Sequence, residues 1–142
     1  MKKLFTLLAL TISFSMNAQM SDNSSGTSAT GTNAVAMGRN TTASGNESTA
    51  MGRSTTASGS YSTAMGLSTT ASGVVSTAMG EFTTASGYAS TAMGQFTTAS
   101  GSYSTAMGKN TTASGYYSTA MGRSTASDYA STVIGQYNSS GS

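Results

Sequence analysis
A fourteen-residue repeat runs through nearly the whole chain, and few folds can accept it. Met37, Met51, Met65, Met79, Met93, Met107 and Met121 are spaced by 14 residues, each within an Ala-Met-Gly triplet. One unit reads TTASGNESTAMGRS at 41–54, and close copies follow through Ser124. A divergent first copy, TSATGTNAVAMGRN, occupies 27–40 with Val35 in the usual Thr position. The final copy, TASDYASTVIG at 125–135, is one residue short, which we read as a lost Thr, carries Asp128 in place of Gly, and ends in Val133-Ile134-Gly135. Eight coils are therefore expected, each one supersecondary unit that cannot bury its apolar face alone.

Glycine recurs every seven residues from Gly31 to Gly122. A heptad would suit a coiled coil, but residue type excludes it. Glycine inside a helix costs about 1 kcal/mol relative to alanine, Ser and Thr are also poor helix formers, and Leu or Ile at the seam positions is missing. The pattern suits an all-β parallel β-roll, or β-solenoid, with two short strands per fourteen-residue coil. Thr42-Ala43-Ser44 and Ser48-Thr49-Ala50-Met51 are strand-like, and each is followed by Gly and two variable residues. Glycine would supply the positive φ of a tight corner. Stacking at the inter-strand spacing of about 4.8 Å gives a rod about 38 Å long for eight coils.

Alternation along a strand assigns the faces. Thr49 and Met51 share one side, and Ser48, Ala50 and Gly52 the other. The expected interior holds Met51 and Ala43 with Thr49 and Thr41, so that Met37, Met51, Met65, Met79, Met93, Met107, Met121 and then Ile134 form a core column. Ala50, Ala64, Ala78, Ala92, Ala106 and Ala120 would then line a flat outer face, although alternation alone also admits the swapped assignment. Such an interior is thin, and a small-residue face invites another chain. A homo-oligomer is expected, with three-fold closure attractive because three rods can bury their flat faces around one axis.

Composition narrows the function. The chain has no Cys, His, Trp or Pro, so general-base His and nucleophilic Cys chemistry are excluded, and no disulfide contributes to stability. No pair of carboxylates recurs, no Asp repeats with the coil as a calcium-binding roll would need, and a Met column is better read as filling than as a soft-metal site. No enzyme activity, cofactor or metal is expected. Residues 1–18 have the layout of a secretory signal: Lys2 and Lys3, an apolar run from Leu4 to Phe14, and a small polar end, with cleavage near Ala18-Gln19. That run is shorter than the roughly 20 residues of a membrane span. Without the leader, Arg39, Arg53, Lys109 and Arg123 balance Asp22, Glu47, Glu81 and Asp128. Neither nucleic acid nor membrane insertion by the mature chain is expected. The expected organisation is a leader at 1–18, a linker at 19–26, the roll at 27–135 and a polar tail at 136–142.

The recurring ASGxxSTAMG resembles the head repeat of YadA-like trimeric autotransporter adhesins, in which a fourteen-residue unit of the S-V-A-I-G type followed by A-x-A-x-G builds a left-handed parallel β-roll. Ser48-Thr49-Ala50-Met51-Gly52 and Thr41-Thr42-Ala43-Ser44-Gly45 occupy those positions, and Val133-Ile134-Gly135 is nearest the family form. The resemblance covers residues 27–135 and implies a homotrimer on the bacterial outer surface or secreted from it. Family members add a coiled-coil stalk and a membrane β-barrel. Residues 136–142 show neither heptads nor an amphipathic strand series, so either an unanchored head or the front of a longer product is expected.

Variation concentrates in the two residues after each Gly, at the corners. Tyr61, Phe82, Tyr88, Phe96, Tyr103, Tyr116 and Tyr117 fall there. They are candidate contacts for an extracellular protein or glycan, since exposed aromatics supply large contact area, or else they pack on neighbouring coils. The leading expectation is an adhesin-like display module. The alternative is an ice-binding solenoid, because Thr42 and Ser44 recur as Thr-x-Ser rows on one face.

Overall fold
The computed structural model of the chain describes residues 20–21 and 26–140. The expected leader at 1–18 lies outside the described residues. Each coil contains one longer and one two-residue strand. The longer strands are Val35–Arg39, Thr49–Arg53, Thr63–Leu67, Thr77–Glu81, Thr91–Gln95, Thr105–Lys109, Thr119–Ala126 and Thr132–Ser140. The short ones are Ser28–Ala29, Thr42–Ala43, Thr56–Ala57, Thr70–Ala71, Thr84–Ala85, Thr98–Ala99 and Thr112–Ala113. Every pairing among the described strands is parallel, and within the repeat it joins equivalent residues of successive coils, as in Thr91↔Thr105, Ala92↔Ala106 and Met93↔Met107. The described residues form an all-β parallel solenoid of about eight windings of about fourteen residues, and near one end Thr119–Ala126 pairs with both Thr105–Lys109 and Thr112–Ala113.

The interior is made of small residues. Ala43, Ala50 and their equivalents through Ala120 and Ala126 are fully buried, beside buried columns of Ser48, Ser62, Ser76, Ser90, Ser104 and Ser118 and of Thr41, Thr55, Thr69, Thr83, Thr97 and Thr111. This reverses part of the expected assignment. Ala43 and Thr41 point inward as expected, but Ala50, Ala64, Ala78, Ala92, Ala106 and Ala120 are inside rather than on an outer face. Met51, Met65, Met79, Met93, Met107 and Met121 stand half-buried on the outer side of the longer strands beside Thr49 and its equivalents, with Met37 36% and Ile134 60% exposed. The reason is volume: two strands closed by two tight corners leave no room between them for a thioether chain, so the small side of each strand turns inward.

At both of its positions a Cβ on glycine would meet the backbone of the next coil, and one series carries a second requirement. At Gly52, Gly66, Gly80, Gly94 and Gly108 φ lies between 119° and 126°, which side chains rarely adopt. Gly45, Gly59, Gly73, Gly87 and Gly101 are buried without a positive φ, and their requirement is close approach. A Cβ on Gly73 would stand 2.0 Å from the carbonyl oxygen of Gly87 in the next coil.

The expected positive φ is thus met at one of the two glycine series, and the second variable residue of the corners takes the left-handed conformation as well. Glu47, Ser54, Tyr61, Ser68, Val75 and Phe82 have φ of 53–60°. This region costs about 1 kcal/mol or more for a residue other than glycine, and a β-branched residue such as Val75 is the least suited to it. Corner hydrogen bonds hold it there: Tyr61 N–H donates to the Asn46 carbonyl at 2.8 Å and Val75 N–H to that of Ser60 at 2.8 Å, one coil back in each case.

The short last copy is missing a corner residue, not a Thr. Thr112 pairs with Thr125 and Ala113 with Ala126, so Ser124, 3% exposed, fills the buried Thr place. The strand therefore runs without a corner from Thr119 to Ala126. Residues Gln136–Ser140 of the polar tail extend the last strand, pairing with Arg123–Ala126 across a bulge between Arg123 and Ser124. At the other end, Met20–Ser21 pairs with Val35–Ala36.

Several interior hydroxyls have no hydrogen-bond partner, among them Thr55, Thr69, Thr83, Ser62 and Ser76. Their equivalents Ser90 and Ser118 donate to the Gly87 and Gly115 carbonyls at 2.8 and 2.7 Å. An unpaired buried hydroxyl costs about 1–3 kcal/mol. Thr69→Val, which keeps the shape and removes that oxygen, should leave thermal stability unchanged or raise it by about 1 kcal/mol. Gly73→Ala should lower it by about 3 kcal/mol or more, because the new methyl meets backbone rather than a movable side chain. Thermal melts followed by circular dichroism measure both. A destabilising Thr69→Val or a silent Gly73→Ala would contradict the packing described.

Candidate interaction surface
Four lines of side chains run the length of the roll, two on its faces and two along its corners. The longer strands present Thr49 and Met51 with their equivalents, half-buried and uncharged. The short strands present half-buried Thr42 and exposed Ser44 with theirs, again without charge. These faces repeat from coil to coil, whereas the corner lines carry nearly all the variation.

The corner after the buried glycine gathers tyrosines. Tyr88, Tyr103, Tyr116 and Tyr117 come together as expected candidates, and Tyr129 joins them. Tyr103 and Tyr117 stack with ring centroids 5.0 Å apart and planes 18° from parallel. Tyr116 and Tyr129 stack at 6.0 Å and 2°. Edge-to-face contacts link Tyr88 with Tyr103 at 5.4 Å, Tyr103 with Tyr116 at 5.7 Å, and Tyr116 with Tyr117 at 4.5 Å. These are the offset and T-shaped arrangements that aromatic quadrupoles favour. Tyr61 lies on the same line but is not part of this cluster, because Val75 takes the equivalent place in the next coil. Tyr129 lies in the irregular last copy and is not evident from the corner pattern. Its signal was the shortened copy: with the missing residue placed at the other corner, Asp128-Tyr129-Ala130 aligns with Gly115-Tyr116-Tyr117.

The opposite corner line is mixed. Phe82 and Phe96 stack at 5.0 Å with planes 2° apart. Beside them Gln95 Nε2 donates to Glu81 Oε2 at 2.7 Å. Near the C-terminal end Arg123 donates to the Tyr137 hydroxyl at 2.7 Å, with its guanidinium 4.6 Å from that ring's centre. Tyr137 was also not singled out in the sequence. It is the bulged residue that restores, at φ 61°, the corner missing from the preceding coil.

This surface combines aromatic rings, hydroxyls and a few charged corner residues. Among the described residues no three His, Cys, Asp or Glu side chains gather. What it offers is contact area: a rigid tyrosine cluster, a phenylalanine pair and flat uncharged faces.

One phenol is perturbed. Neighbouring rings shield Tyr116 from water, and the adjacent Tyr117 phenol adds charge repulsion and a hydrogen bond; all three raise its pKa above the ordinary value of 10.0. The folded chain therefore holds this proton more tightly than the unfolded chain does. The associated stability is present below pH 10 and is lost as the pH rises through the raised folded value. Residue-specific titration should place Tyr116 above the ordinary tyrosine value, and Tyr117→Phe should lower it. A Tyr116 titration at the ordinary value, unmoved by that substitution, would contradict this coupling.

A family model described as the YadA head domain repeat, in two copies, matches residues 29–55, 43–69, 57–80, 71–97 and 99–125. No curated protein matches the chain.

Proposed function
From the premise that this chain belongs to the family of YadA head domain repeats, we propose that it is the display head of an exported, adhesin-like protein whose corner lines contact an extracellular protein or glycan. The leader at residues 1–18 directs export and is removed near Ala18-Gln19, and the roll acts outside the cell or on the bacterial surface. Carrying this reading is one observation: in a surface that otherwise repeats, the residues that differ from coil to coil stand at the corners, and the aromatics among them are exposed.

Three copies assemble through the faces of their longer strands. There Thr49 and Met51 with their equivalents form an uncharged, half-buried apolar strip along the roll. Burying such a strip against other copies supplies the hydrophobic contribution that an interior of Ala, Ser and Thr lacks. This moves the oligomer contact from the Ala50 column to the Met51 column. No catalysis is assigned to the head.

The mature chain should sediment as an elongated trimer, and Met79→Glu with Met93→Glu should shift it to monomer by placing charges in a dry contact. Surfaces coated with the trimer should retain cells or matrix material, and replacing Phe82, Tyr88, Phe96, Tyr103 and Tyr117 by Ser should reduce retention several-fold with the β signal unchanged. Equal retention by the two proteins would remove the corners from the reading; a compact monomer would remove the assembly.

A second reading rests on the short-strand face, whose Thr42 and Ser44 rows face outward in register through Thr112 and Ser114. Such rows on an uncharged face can order water, and freezing hysteresis in the purified protein would establish ice binding. An adhesin head should show none.

A further inference from the structure
We propose that the tyrosine cluster is a site of oxidative cross-linking, at which Tyr103 and Tyr117 couple through carbon to a dityrosine that joins two successive coils of one chain. The inference goes beyond ligand contact and does not depend on it. The chain has no cysteine, so phenol coupling can take the place that a disulfide would have in an exported protein.

Among the tyrosine pairs that join successive coils, this one has the shortest ring separation. Both residues occupy the left-handed corner position, with φ of 59° and 58°, so their side chains leave the backbone in the same direction from adjacent coils. The corner ladder fixes that arrangement: Tyr103 N–H donates to the Tyr88 carbonyl at 2.7 Å and Tyr117 N–H to the Ser102 carbonyl at 2.9 Å. Their rings lie nearly parallel at 5.0 Å, and a small adjustment of side-chain torsions brings the ring carbons next to the hydroxyls into contact. Both rings are about half exposed, at 43% and 48%, so an oxidant reaches them. Holding two reactants in this way makes coupling effectively unimolecular.

The reaction balances with hydrogen peroxide acting through a haem peroxidase. Each phenol gives up one electron and its hydroxyl proton, leaving two tyrosyl radicals. These combine by forming a carbon–carbon bond between the ortho carbons. The two ortho hydrogens then move to the oxygens, restoring both phenols. In sum two phenols and one peroxide give one dityrosine and two waters. The bond closes a loop between neighbouring coils and so restricts the unfolded chain, as other loop-closing cross-links do.

The molecule supplies its own controls. Tyr61 stands on the same corner line beside Val75, and Tyr137 is engaged by Arg123 on the other. Neither makes a contact with another tyrosine ring.

The test treats the mature protein with haem peroxidase and hydrogen peroxide and, separately, with a small photochemical oxidant that reaches any exposed phenol. Expected is a product that runs as a single chain on a denaturing gel, is lighter by two hydrogen atoms, shows the blue fluorescence of dityrosine, and yields after proteolysis a peptide pair linking Tyr103 to Tyr117. Tyr103→Phe and Tyr117→Phe keep the ring stack and should each abolish that pair and lower the fluorescence several-fold. The cross-linked chain should melt at a higher temperature than the untreated one. The proposal is overturned by the absence of dityrosine with both oxidants, by links formed only between chains, by equal linkage at Tyr61 or Tyr137, or by the same Tyr103–Tyr117 yield when the protein is oxidised in urea.

Discussion
Close approach of successive coils at the buried glycines is the constraint on which the rest of this molecule depends. Where a Cβ of Gly45 would be, the carbonyl oxygen of Gly59 stands 2.0 Å away, and the same relation recurs at Gly59, Gly73, Gly87 and Gly101. No side chain is tolerated there without separating the coils. Once the glycines set the spacing, equivalent residues lie above one another, and each strand bonds to its own copy in the neighbouring coil. Corners stack as well as strands. The left-handed residue of each corner donates one coil back, as Phe82 does to Leu67 at 2.9 Å, and this bonding holds Val, Phe and Tyr in a backbone conformation they otherwise avoid.

A second consequence is an inverted distribution of side chains. The interior is lined by Ala, Ser and Thr, with Val133 added in the last coil, and most larger apolar groups are outside: Met on the longer-strand face, and Tyr, Phe, Val74 and Val75 at the corners. Solenoids stabilise themselves through nearest-neighbour stacking, which suits a chain whose interior contributes little hydrophobic burial. The same inversion gives the head its surface. Because the scaffold needs only Gly, Ala, Ser and Thr at its inward positions, the corners can change without disturbing it.

Much of this was legible in the residues. The fourteen-residue period, the two strands per coil, the parallel register and the eight windings follow from the Gly and Met spacing, and the corners lie where the variable pairs are. The expected inward Met fails because Met is the bulkiest apolar residue of the unit, and burial, the usual fate of such residues, has no room in so narrow an interior. A better signal was available. Thr41-Thr42-Ala43-Ser44-Gly45 and Ser48-Thr49-Ala50-Met51-Gly52 are the same pattern seven residues apart, so with Ala43 inside, Ala50 must be inside too, and Met51 must match the outward Ser44. The left-handed corner residues were not legible. Glu, Ser, Val, Phe and Tyr share no preference for that region, and only hydrogen bonds to the preceding coil select it. Likewise Tyr129 joins the tyrosine cluster only once the missing residue of the last copy is placed at a corner.

Whether the interior is the alanine side of each strand can be read directly, because a chain without cysteine accepts single-cysteine probes on an unreactive background. Ala78 is fully buried, and Ser86 is exposed on the short-strand face. In the folded protein a thiol reagent should label Ser86→Cys at the rate of a free thiol and leave Ala78→Cys unmodified until the chain is unfolded. Rapid native labelling of Ala78→Cys, with Ser86→Cys protected, would contradict it.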